Sequence, residues 1–506
     1  MKKSVVNLRR TTMRHYLNPD LHLTQGRTKW LLASALIFMI CAFVWSCGVT
    51  KSYQKPAISR DSKLFRDQDT SIADSSTLAA IPWQRLFTDQ KLLELIDMGL
   101  HNNYDVKIAV ARISASAAAF RQSKLAFYPT LSVNGEASYN RRSTAQIRAN
   151  GVDINSIPDN QIYDLIATTS WEIDVWGKLR STKKAQYAAF LASRSYLRTI
   201  QTQLVASIAI NYYQLLAYDE QLRILDSTVM NRERDVDIVK TLKQSAVVTG
   251  ADIANSEANV KVAKLQIPEV MQQRREIENA MSILLGTSPH EIPRTRFDSL
   301  TIDSSLRIGV PAQLLANRPD VQEAEQAFQR AFELTNVART HFYPSLLISG
   351  NAGWATANTL QGFFSGTFYG SLIGGLVQPI FNQGINRQRL TTADAAQDEA
   401  YFTFQNTLLV AGQEVSDALY AFEIAREKEL IRTEQIKDLN RAAAFTKELL
   451  RYTPNTNYTD VLTAEQNLLQ AQLEAVSDKL QQLVAVVELY RSLGGGWQSE
   501  ENITSK

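Results

Sequence analysis

Phe127-Tyr128-Pro129 opens the stretch FYPTLSVNGEASY, and Phe342-Tyr343-Pro344 opens FYPSLLISGNAGW, 215 residues further on. Each triplet stands where a helical pattern gives way to an alternating one. The same offset lays Asp105-Val106 over Asp320-Val321 and Ala109 over Ala324. Later the offset becomes 208, pairing Asp252 with Asp460, Glu257 with Glu465, Asn259 with Asn467 and Leu285-Gly286 with Leu493-Gly494. Agreement at several positions on two offsets marks an internal duplication. The change of offset puts about seven extra residues in the first copy, between Pro129 and Asp252. The polar run 147–162 is the natural host, because surface loops tolerate insertions.

Each copy reads as helix, two strands, long helix, short helix. In the first copy the pattern predicts a helix over 89–127, strands over 130–142 and 162–176, and helices over 178–245 and 250–285. In the second it predicts a helix over 319–341, strands over 345–356 and 364–380, and helices over 386–451 and 459–493. Pro129 and Pro344 close the first helices, since proline disfavours helical geometry in the residue before it. Pro268 is expected to interrupt and kink the short helix of the first copy.

The helices carry seven-residue repeats: Ile208, Leu215, Leu222, Val229 and Val236 in one, and Leu462, Leu469, Val476, Leu483 and Tyr490 in another. This spacing gives knobs-into-holes packing and a left-handed supercoil. Taken alone, such helices fit an elongated, lipid-anchored structural rod as well as a tube. The strands argue against the rod. Leu131, Val133, Gly135, Ala137 and Tyr139 fall on one face, and Ser132, Asn134, Glu136, Ser138 and Asn140 on the other. Tyr163, Leu165, Ala167, Thr169, Trp171 and Ile173 form a second set, and Leu346, Ile348, Gly350, Ala352 and Trp354 a third. Alternation over about 10 residues with aromatics near the ends is the mark of a membrane-spanning β-strand. In the fourth strand Gly366, Gly370, Gly374 and Gly375 blur the pattern. Four strands cannot close a barrel, and an open edge is not viable in lipid. The chain must therefore oligomerise. Two copies give eight strands and a filled interior, whereas three give twelve and leave a lumen.

The first 46 residues are a secretory signal. Seven basic side chains precede the apolar run Leu31–Trp45, which is too short for an ordinary span. Taking those seven and Asp20 from the 54 basic and 51 acidic residues leaves 47 against 50, so the net charge of +3 belongs to the leader. No basic patch remains to argue for nucleic acid. Val44-Trp45-Ser46-Cys47 resembles a lipobox, which makes Cys47 the expected lipid attachment site. An uncleaved anchor with a free thiol is the alternative. The only other cysteine, Cys41, lies inside the leader, so the exported chain forms no internal disulfide.

Four segments carry a family resemblance: LLANRPDVQEAE (314–325), SWEIDVWGKLR (170–180), QPIFNQGINR (378–387) and the two Phe-Tyr-Pro turns. Over residues 83–497 the chain resembles the outer membrane efflux proteins, the TolC-like and nodulation-type lipoprotein channels. The resemblance implies a mainly helical fold with a small membrane β part. In it, a trimeric α-barrel of long coiled-coil helices is continuous with a 12-stranded β-barrel, four strands per subunit. It implies a homotrimer in the outer membrane that extends into the periplasm, and Gly48 is consistent with outer-membrane sorting. A periplasmic adaptor and an inner-membrane pump of the resistance-nodulation-division type complete the implied assembly, which serves multidrug efflux. A type I secretion or metal-efflux duct is the alternative within transport. The organisation expected is a signal peptide (1–46), a lipid-anchored extension (47–82), a first repeat (83–300), a second repeat (301–497) and a tail (498–506).

By the same resemblance, the turns between long and short helices form the closed periplasmic end. RYTPNTNYTDVLTAEQ (451–466) then supplies gate residues Tyr452 and Asp460, with Thr463 where a second aspartate is common. SAVVTGADIANSEA (245–258) supplies Asp252. The competing reading of Asp460 is a helix-start residue held by the helix dipole. No catalytic chemistry is expected. His101, His290 and His341 lie outside metal-ligand spacing of one another, no phosphate loop occurs, and no cofactor is implied.

Overall fold

A computed structural model describes residues 49–56, 81–140, 160–245, 247–297, 318–357, 359–452 and 458–498. The chain divides into two compact units. One comprises residues 1–52, 131–178 and 339–379, and the other 53–130, 179–338 and 380–506. Each unit draws on both copies of the repeat.

The first unit is a four-stranded sheet in the order β1-β2-β3-β4, with β1 Thr130–Asn140, β2 Asn160–Ile173, β3 Ser345–Ala357 and β4 Phe368–Val377. The copies meet where β2 pairs antiparallel with β3, from Ile162 opposite Ala357 to Ile173 opposite Leu346. β3 pairs antiparallel with β4, from Ser345 opposite Val377 to Trp354 opposite Phe368. β1 and β4 are left as edges. Their apolar side chains stand exposed: Leu131 and Val133 on one, Leu372 and Leu376 on the other.

β4 is shorter than the 364–380 its sequence suggests. Gly362 and Gly366 adopt positive φ and hold a turn, in which the Phe364 ring packs edge-on against Trp354. The strand's own glycines, Gly370, Gly374 and Gly375, remove side chains from both faces, which explains the blurred alternation.

The second unit is helical: α1 Trp83–Leu86, α2 Gln90–Asn102, α3 Tyr104–Leu125, α4 Lys178–Gln244, α5 Gly250–Leu284, α6 Pro319–Thr340, α7 Ile385–Tyr452 and α8 Tyr458–Ser492. The helix expected over 89–127 is two helices. Asn103 ends the first and caps the second, its Oδ1 accepting from the amides of Asp105 (2.8 Å) and Val106 (3.2 Å). Its amide nitrogen donates to the Leu284 carbonyl at 3.0 Å. A buried asparagine satisfied in this way favours a helix start over a helix interior. Adding 215 to the bounds of α3 gives the bounds of α6, and adding 208 to those of α5 gives those of α8.

α4 and α7, at 67 and 68 residues, are each about 100 Å long at 1.5 Å per residue. Their heptads are the packed faces: Ile208, Leu215, Val229 and Val236 are buried in α4, as are Leu469, Val476, Leu483 and Tyr490 in α8. α5 runs on through Pro268 and is not interrupted there. Pro268 and Lys264 are both exposed, so the carbonyl deprived of its partner lies on the wet side of the helix, where solvation limits the cost. The largest core joins Leu92, Ile96, Ile208, Tyr212, Leu215, Met281 and Tyr490, drawing α2, α4, α5 and α8 together. Beyond the expected anchor, Tyr53 lies edge-on to both Phe328 and Phe332 of α6, and Lys55 pairs with Glu325 at 2.7 Å. Among the described residues no helix is long and apolar enough to cross a membrane.

Candidate functional site

Asp252 is committed to a capping box. Its Oδ2 accepts from the Thr249 amide at 2.7 Å and from the Thr249 hydroxyl at 2.8 Å, while its own amide donates to Thr249 Oγ1 at 3.3 Å. The reciprocal bonds satisfy two donors at the start of α5, so this geometry gives Asp252 a structural task. In the second copy Tyr452 is the last residue of α7 and is 79% exposed. Asp460 is exposed in the first turn of α8, where the helix dipole favours a carboxylate. Thr463 is also exposed, and its hydroxyl donates back to the Thr459 carbonyl at 2.9 Å. Tyr452 and Asp460 thus stand exposed at the end of α7 and in the first turn of α8. Cys47 lies outside the described residues.

Behind these exposed groups is a junction that sequence reading did not anticipate. Val239, Val248, Leu450, Tyr458 and Val461 form a small apolar cluster from α4, the first turn, α7 and α8. Buried Tyr458 donates its hydroxyl to Ser256 Oγ at 2.8 Å, joining α8 of the second copy to α5 of the first. Burial pushes the Tyr458 hydroxyl above its ordinary value, with the negative charges of Glu465 and Asp235 adding to the effect.

One helical turn further in, Lys447 of α7 bridges Asp235 of α4 at 2.9 Å and Glu465 of α8. Burial, then a hydrogen bond with Asp235, pushes the Glu465 carboxyl up to about 7. The two pairings hold the Lys447 ammonium above its usual range despite burial. Arg232 is also buried, and its guanidinium donates to the carbonyl (2.9 Å) and the side chain (3.1 Å) of Asn259. A cavity of about 240 Å³ lies beside the group, lined in part by Arg232, Asn440, Lys447 and Glu465.

The sequence held one hint of this cluster. Glu257 and Glu465 are repeat partners, and in the first copy Glu257 pairs with Lys240 at 3.0 Å across α4 and α5, as Glu465 does with Lys447 across α7 and α8. The first pair is half exposed and in the second the carboxylate is largely buried, a difference that periodicity cannot reveal.

Two of the segments that carry the family resemblance have structural explanations. In SWEIDVWGKLR the Trp176 ring packs on Tyr343 and its Nε1 donates to the Pro344 carbonyl at 2.6 Å, so the motif of one copy holds the Phe-Tyr-Pro turn of the other. In LLANRPDVQEAE the buried Arg318 grips Asp320, Glu414 and the Ser492 carbonyl.

The family model for outer membrane efflux proteins matches residues 95–287 and 310–495, one match per copy. The chain belongs to the outer membrane efflux protein family. This efflux protein is 27% identical over 470 residues to the solvent efflux pump outer membrane protein SrpC of Pseudomonas putida, covering 90% of this chain and 97% of that one. It is 29% identical over 434 residues to the pyoverdine export outer membrane protein OpmQ of Pseudomonas putida, covering 84% and 91%. Among solved structures it superposes on the outer-membrane channel OprN with a TM-score of 0.79 at 23% identity, over 89% of this chain and all of that one. No cluster of metal-ligating side chains occurs among the described residues of this efflux protein.

Proposed function

We propose that the protein is the outer-membrane exit duct of a tripartite efflux system, passively conducting small molecules delivered by a periplasmic adaptor and an inner-membrane pump. The observation that carries this reading is a four-stranded sheet with two open edges and outward apolar side chains, on a chain whose longest helices are 67 and 68 residues. Open edges in lipid demand closure. Three copies supply twelve strands, enough for a lumen, and the same threefold arrangement of a duplicated chain gives a nearly sixfold helical tube. The relatives' names span solvents and pyoverdine, which fits a duct whose cargo is chosen by the pump. Acylation of Cys47 would add a lipid anchor to the strands' own membrane affinity.

In the trimer Asp460 would form a ring of three carboxylates near the axis, with Tyr452 and Thr463 beside it, and such a ring favours cations. Purified protein in planar bilayers provides the test. Conductance from a three-chain species, with cation preference reduced in Asp460→Ala, supports the reading. A two-chain species, or protein that leaves the bilayer sealed, refutes the duct. Unchanged selectivity in Asp460→Ala returns that residue to a helix-start role alone.

A further inference from the structure

Arg232 of α4 is 4% exposed and forms no ion pair among the described residues. Its Nη1 donates to the carbonyl and the side chain of Asn259, whereas its buried Nε has no hydrogen-bond partner among those residues. The acids whose fields reach it, Asp235 and Glu465, are both engaged by Lys447 instead. Burial holds the guanidinium below its ordinary range in spite of those charges, so desolvation outweighs the compensation they give.

A buried cation with an unmade hydrogen bond is costly, and this one borders free space. The cavity of about 240 Å³ between α4, α7 and α8 is lined by Arg232, by Lys447 and by Thr228, one helical turn before Arg232 on the same face of α4. Exposed Asn231 and Asn440 also line it, which gives a solute a way in. A single water needs only about 15 Å³ of such space, so there is room for a polyatomic ion.

We propose that this cavity binds a small oxyanion of the phosphate class, with Arg232 Nε as its principal donor and Lys447 and Thr228 as further ones. Nε belongs to the guanidinium edge that matches two oxygens of such an ion. An ammonium has three N–H groups, so Lys447 keeps one beyond those it gives to Asp235 and Glu465. The Thr228 hydroxyl adds a neutral donor. Bound there, the ion braces α4 of the first copy against α7 and α8 of the second. Among the described residues lining the cavity Glu465 is the one acid, and its charge opposes the ion. The site needs only the packing of the helical unit and stands independently of the duct reading.

Calorimetric titration of the intact detergent-purified protein with inorganic phosphate tests the site, at pH 7 and constant ionic strength set with sodium chloride. The parent should take up one phosphate per chain, and sodium chloride in place of phosphate should give no saturable heat. Arg232→Met should weaken binding at least about tenfold, the loss expected for a hydrogen bond to a charged group. This variant should stay folded, because removing an unpaired buried cation strands no carboxylate. Glu465→Gln removes the opposing charge and should tighten binding about threefold or more; it decides the matter if Arg232→Met does not fold. A parent that takes up no phosphate, or takes up chloride equally well, overturns the site. So does Arg232→Met binding within about twofold of the parent, or Glu465→Gln binding no more tightly than the parent.

Discussion

Replacing Arg318 with methionine tests what holds the ends of the second copy together. Arg318 is 4% exposed, and its guanidinium reaches Asp320 at 2.7 and 3.0 Å, Glu414 at 2.7 Å and the Ser492 carbonyl at 2.7 Å. It therefore ties the start of α6 to α7 and to the last residue of α8. Removing one member of a buried ion pair costs about 3–5 kcal/mol, because the other charge is stranded. Asp320 and Glu414 keep 32% and 29% of their side-chain surface in water, and Arg491 stands 3.3 Å from Glu414. These features bring the electrostatic loss toward about 2 kcal/mol, and the orphaned Ser492 carbonyl adds about 1 kcal/mol. Arg318→Met should thus lose about 3 kcal/mol in urea unfolding of the detergent-solubilised protein at fixed concentration. Arg318→Lys, able to serve fewer acceptors, should fall between. Adding Glu414→Gln to Arg318→Met should cost less than the sum of the single changes, since a stranded charge is then neutralised. An Arg318→Met variant within about 0.5 kcal/mol of the parent, or strict additivity in the double variant, would refute the account.

Tyr458→Phe removes the hydroxyl that joins α8 to Ser256 and leaves a buried polar group behind; it should cost about 1–2 kcal/mol in the same unfolding assay. Gly495→Ala would place a Cβ 2.3–2.6 Å from the Tyr490 ring. That ring is held by a 2.7 Å hydrogen bond to the Ile81 carbonyl, so a loss of about 1–3 kcal/mol is expected by unfolding. Asp252→Ala breaks the capping box and should cost about 1 kcal/mol, with bilayer ion selectivity unchanged. Cys47→Ala should abolish metabolic labelling with palmitate while leaving part of the bilayer activity. Retained labelling would refute the anchor assignment.

The duplication, the order of elements and the heptad faces were all legible in the chain, because each repeats along it. A shift of 215 residues locates α6 from α3 without any structure, and seven-residue spacing picks out Leu469, Val476 and Leu483 before their burial is seen. The strands announce themselves through alternation, which weakens only where glycines take the place of side chains. Local exceptions were harder to read. Asn103 divides a helix because it finds the Leu284 carbonyl 181 residues away, and Pro268 is tolerated because its face of α5 is wet. Tyr452, Asp460 and Thr463 lie at the end of α7 and the start of α8, whereas the capping box that Thr249 completes for Asp252 shows only in the folded turn. The charge cluster was out of reach altogether. Asp235 and Lys447 are 212 positions apart, and nothing in a string of residues says which acids will share one lysine or how much water they keep. Those are properties of packing: burial raises the Glu465 carboxyl, and the fold alone brings Asp235 and Glu465 onto one lysine.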